Sequence, residues 1–81
     1  MDNSKSILSV KEYGRVHVCL REILDGRGMT RNELARAINA RFEVVDKWYQ
    51  GSVAKIDADV LARMCFVLKC EIGDILCYEE G

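Results

Sequence analysis

Residues 28–51 read GMTRNELARAINARFEVVDKWYQG, and the apolar positions within them decide the fold. Leu34, Ala35 and Ile38 fall on one stripe at helical spacing, and Val45, Trp48 and Tyr49 fall on a second. The small residues Asn39 and Ala40 lie between the two stripes. This pattern predicts two short helices joined by a tight turn, a helix-turn-helix, with helices over about 30–38 and 41–50. Thr30 followed three residues later by Glu33 is the signature of a capping box and starts the first helix just after Gly28. Asn39 tolerates the left-handed backbone that ends it, and Gly51 closes the second helix.

Working outward, Val16, Cys19, Leu20, Ile23 and Leu24 recur at three- and four-residue steps. A first amphipathic helix is therefore expected from Arg15 to about Gly26 or Gly28. Residues 1–5 read as a frayed terminus, and Ile7, Leu8 and Val10 as a short strand or arm, so 1–14 is assigned as an arm ahead of a domain spanning 15–79. Residues 52–56 read as a loop. Asp57 is placed to cap a fourth helix with the stripe Val60, Leu61, Met64, Cys65 and Leu68. Glu71 to Leu76 reads as a short fifth helix, interrupted by Gly73 and followed by Tyr78 and an acidic tail. The expected class is all-α, a compact five-helix bundle, with which short terminal strands are compatible. With no proline in the chain, the boundaries rest on glycines, caps and pattern alone.

The chain resembles the lambda repressor and Cro-like helix-turn-helix proteins, the XRE family. The residues that carry the resemblance are Gly28-Met29-Thr30, Glu33-Leu34-Ala35, Ile38, Asn39-Ala40, Val45, Trp48 and Gly51, then Asp57, Leu61, Leu68, Gly73, Asp74 and Leu76. It covers roughly residues 15–79 and is closest to the small single-domain members. The resemblance implies a lambda-repressor-like bundle whose second motif helix enters the major groove of duplex DNA while the first crosses the backbone. It also implies base-reading positions at Phe42, Glu43, Val44 and Lys47, and phosphate-contacting positions at Arg31, Arg41, Gln50 and Ser52.

Helical geometry agrees in part, since an inward Val45, Trp48 and Tyr49 turns Phe42, Glu43, Asp46, Lys47 and Gln50 outward. Lys47 is suited to guanine O6 and N7, Phe42 or Val44 to a thymine methyl, and Glu43 to cytosine N4. Arg31 stands where relatives often carry glutamine, and charge-assisted hydrogen bonds let it contact phosphate. Arg41 stands where a small capping residue is usual, which weakens the start of the reading helix. Glu43 and Asp46 put two carboxylates on the groove-facing surface, which repel phosphate unless each finds a donor.

A net charge of −1 gives no overall basic excess, but its distribution is uneven. Arg27, Arg31, Arg36, Arg41, Lys47 and Lys55 lie in or beside the bihelical unit, whereas Glu71, Asp74, Glu79 and Glu80 gather at the far end. Eighty-one residues allow one domain, and no apolar run approaches the roughly 18 residues needed to span a bilayer. No signal-peptide core follows the polar start, so a cytoplasmic location and no membrane partner are expected.

Cys19, Cys65, Cys70 and Cys77 contain no CxxC pair, so no metal site or other cofactor is expected. Cys19 and Cys65 instead read as small hydrophobes on helical stripes. His17 is the sole histidine, and no nucleophile elbow, phosphate loop or paired acidic site accompanies it. No catalytic residue, enzymatic activity or small-molecule ligand is expected. The combined reading is a sequence-specific double-stranded DNA-binding transcriptional regulator, a repressor acting by occupancy as a homodimer. The alternative is a protein-interaction or antitoxin-like module with a degenerate DNA face. Two candidate dimer surfaces are Ile7, Leu8 and Val10 pairing with Ile75 to Tyr78, and a patch of Phe66, Ile72 and Tyr78.

Overall fold

The computed structural model describes residues 13–81. Strand β1 spans Arg15–Val18, followed by helices α1 (Leu20–Arg27), α2 (Arg31–Ala37), α3 (Phe42–Gln50), α4 (Ala58–Leu68) and α5 (Ile72–Ile75), and by strand β2 (Leu76–Glu79). Every helix sends apolar residues to one core. Leu20 and Leu24 come from α1, Leu34 and Ala35 from α2, Val45 and Trp48 from α3, Leu61, Met64 and Leu68 from α4, and Ile75 from α5. Ile38, at the end of α2, completes it.

The caps explain where the helices begin and end. Thr30 Oγ1 accepts from the Glu33 amide at 3.0 Å, and the Glu33 carboxylate accepts from the Thr30 amide at 2.8 Å. These bonds satisfy two donors that the first helical turn leaves free. Asn39 takes φ 56°, so the chain turns immediately after α2, and Gly51 takes φ 76° after α3. The Asp57 side chain accepts from the Asp59 and Val60 amides, starting α4. Arg41 occupies the N-cap position of α3 without a side-chain cap bond.

Among the described residues the fold is predominantly helical, with five helices and a two-stranded antiparallel sheet. Two expectations are corrected here. The helical stripe drawn from Arg15 is a strand up to Val18, and the helix starts only at Leu20. Val16 and Val18 are β-branched, and the backbone of this segment pairs with a partner about sixty residues away, Val16 opposite Tyr78 and His17 opposite Cys77. Local periodicity carries no trace of that partner. The fifth helix, expected over Glu71 to Leu76, is a single turn, because Leu76 already belongs to β2. A terminal strand pair does exist, but the segment facing Leu76–Glu79 is Arg15–Val18; Ile7, Leu8 and Val10, to which that pairing was given, lie outside the described residues.

Gly14 is needed where β1 meets β2. A Cβ at this position would run into the backbone of Glu79 and Glu80, so only glycine lets the strands approach here. Val18 and Leu76 pack against the core, which orients the sheet. By the two-residue alternation of a strand, Arg15, His17, Cys77 and Glu79 share the opposite face.

Candidate nucleic-acid interface

Helix α3 buries Val45 and Trp48 and leaves Phe42, Glu43, Lys47 and Gln50 exposed, with Val44 and Asp46 half-buried. Of the expected reading positions, Phe42, Glu43 and Lys47 lie on the outward side of one nine-residue helix, whereas Val44 packs partly against the core. Arg41 is exposed at its start and Ser52 just beyond its end. The Ser52 amide donates to the Lys47 carbonyl at 3.0 Å, which folds the chain back over the last turn. Lys47, Ser52 and Lys55 line a hollow of about 380 Å³ together with Val44, Trp48, Val53 and Ala54. Two lysines thus flank the C-terminal end of α3.

Asp46 is not an isolated carboxylate. Arg31 Nη1 donates to Asp46 Oδ1 at 2.6 Å, and Gln50 Nε2 donates to the same oxygen at 3.4 Å. The Arg31 guanidinium also lies over the Tyr49 ring at 4.8 Å and the Phe42 ring at 5.4 Å. Arg31 therefore ties α2 to three side chains of α3 while 38% of its side chain stays accessible. The repulsion expected from Asp46 is offset within the protein. Glu43 has no ion-pair partner among the described residues.

Sequence reading missed the contribution of α1. Arg21 donates to Gln50 Oε1 at 2.9 Å and lies over the Tyr49 ring at 4.7 Å. The Tyr49 hydroxyl donates to Asp25 Oδ1 at 2.8 Å, and that bond raises its pKa above the usual phenol value. Tyr49 thus spends its hydroxyl inside the protein. Arg21 and Asp25 stand one turn apart, which was the available signal, but their partners are more than twenty residues away. Arg63 of α4 likewise donates to the Ile38 carbonyl at 2.9 Å, holding the turn of the motif from behind.

Away from this face, the four cysteines form two neighbouring pairs. Cys65 and Cys70 are half-buried against the core, and burial is the main cause that raises the Cys70 thiol pKa. Cys19 stands at the N-cap of α1 and not on the helical stripe expected of it. Its sulfur lies 3.3 Å from that of Cys77, and this thiol–thiol bond, followed by burial, pushes its pKa up to about 11.

Two helices crossing at a tight turn, with the second presenting an exposed polar face braced by arginines, define a helix-turn-helix protein. Residues 19–81 match the family model of the Cro/C1-type HTH DNA-binding domain, and the chain belongs to that family. A comparison with curated proteins finds no match. No helix among the described residues is long and apolar enough to cross a membrane.

Proposed function

We propose that this chain is a sequence-specific regulator that binds double-stranded DNA as a homodimer in the cytoplasm and represses by occupying its site. The observation that carries this reading is the Arg31–Asp46 ion pair. It neutralises the carboxylate nearest the centre of α3 and leaves Lys47 exposed to donate to a guanine edge. Phe42 and Val44 supply apolar contact to thymine methyl groups, and Glu43 accepts from cytosine N4. Arg41, Gln50, Ser52 and the free donors of Arg31 hold phosphates. One helix of this length reads too few base pairs for useful specificity, so two-fold pairing is part of the proposal. The exposed Phe66, Ile72 and Tyr78, on α4, α5 and β2, support a contact between copies.

Selection from random duplexes at low salt is the test. The expected result is an enriched, two-fold-symmetric sequence. If none is enriched, and the Glu43→Gln variant then binds duplex DNA, the exposed carboxylate blocks the groove face and the interaction-module reading replaces this one.

A further inference from the structure

Strand pairing puts His17 directly opposite Cys77, and Cys19 follows His17 by two residues. Cys19 Sγ lies 3.6 Å from His17 Nε2 and 3.3 Å from Cys77 Sγ, and all three ligand atoms fall within 4.8 Å of one another. We propose that His17, Cys19 and Cys77 form a binding site for a borderline-soft divalent cation of the Zn²⁺ class, with a solvent molecule as fourth ligand.

The donor set and the spacing both support the assignment. Zn–S and Zn–N bonds of about 2.3 and 2.0 Å in a tetrahedron place two sulfurs about 3.8 Å apart, and a sulfur and an imidazole nitrogen about 3.5 Å apart. The Cys19–His17 distance already matches, the two sulfurs need to separate by about half an ångström, and the His17–Cys77 pair, within 4.8 Å, closes by rotation of the imidazole and thiol. All three side chains are half-buried, so an ion can enter without unfolding the sheet. Unlike Cys65 and Cys70, Cys19 and Cys77 are not packed against the apolar core, so filling the core does not account for them. Binding one Zn²⁺ forms two Zn–thiolate bonds and one Zn–imidazole bond, and releases the two thiol protons to solvent. Two thiolates and an imidazole disfavour Mg²⁺ and Ca²⁺, which take oxygen ligands.

The site joins β1 to β2 at the start of α1, the helix whose Arg21 and Asp25 brace α3. Occupancy therefore stabilises the start of the helix that supports the interface, two residues before Arg21.

The full chain, reduced and stripped with a chelator, is titrated with Co²⁺ and then Zn²⁺. The expected result is a tetrahedral cobalt–thiolate spectrum that saturates at one equivalent, is bleached by Zn²⁺, and accompanies a rise in melting temperature that Mg²⁺ does not produce. Cys19→Ser and Cys77→Ser should each weaken binding at least about a hundredfold, since even outer-shell changes cost up to that much. His17→Gln leaves both thiols in place and should still weaken binding, whereas Cys65→Ser and Cys70→Ser should not. Circular dichroism of each apo variant checks that it is folded. Absence of the cobalt spectrum in the folded wild type, or equal loss in the Cys65 and Cys70 variants, overturns the site.

Discussion

Arg31 and Lys47 both looked like DNA-facing cations, and their surroundings separate them. Lys47 is exposed and free of any ion pair among the described residues, so its replacement disturbs little inside the protein and tests the proposed base contact alone. Lys47→Ala should reduce discrimination between the selected site and random duplex by about 1–3 kcal/mol with an unchanged melting temperature. Competition binding measures this, and equal loss on both DNAs would remove Lys47 from the reading face. Arg31 is half-buried in an ion pair and over two aromatic rings. Arg31→Ala should weaken specific and random binding alike, lower the salt slope by about one, and cost about 1–2 kcal/mol of stability, summing exposed ion-pair and cation–π values. A melting temperature identical to wild type would mean that the Asp46 contact contributes nothing.

At the scale of the element, α2 and α3 are held by different means. Thr30 and Glu33 close α2 with reciprocal hydrogen bonds, and the bond from the Thr30 backbone amide, then that from its hydroxyl, holds the Glu33 carboxyl below its ordinary pKa. A carboxylate with a depressed folded pKa contributes stability that is complete above the unfolded value and is lost as pH falls through the folded one. Glu33→Gln keeps an acceptor for the cap but cannot titrate. The melting temperature of the wild type should therefore fall more steeply on acidification below about pH 4.3 than that of Glu33→Gln. Parallel curves would show that another carboxylate dominates. Helix α3 has no side-chain cap at Arg41 and depends on Val45 and Trp48 for its hold on the core. Trp48→Ala should cost about 3–5 kcal/mol, a large part of what a domain this small possesses. Chemical denaturation reads it, and a folded variant of unchanged midpoint would place Trp48 outside the core.

For the whole molecule, β1 and β2 bring the two ends of the described chain together, and Gly14 is the tightest point of that closure. Gly14→Ala should lower the melting temperature by separating the strands. The proposed DNA face on α3 should stay intact when assayed below the new transition. A variant as stable as wild type would show that the strand ends can separate freely.

The sequence by itself determined the bihelical unit and its surroundings. Helical periodicity is a local property, so Leu34, Ala35, Ile38, Val45 and Trp48 announced which faces are buried. Caps are local too, and Thr30, Asn39, Gly51 and Asp57 marked the boundaries the structure has. The outward set on α3 followed from the same geometry, apart from the partial burial of Asp46. Only the tertiary structure decided what depends on distant partners. Residues 15–18 carry an apolar pattern compatible with a helix, and pairing with 76–79 made them a strand, because hydrogen bonds across a sheet join segments that no short window contains together. The same pairing assembled His17, Cys19 and Cys77, whose spacing in the chain is unlike any metal motif. Arg21, Asp25 and Arg63 drew no assignment from the sequence and take their roles only where α1 and α4 pack beside the motif. A charged side chain takes its role from the atoms opposite it, and those are set by packing and not by neighbours in sequence.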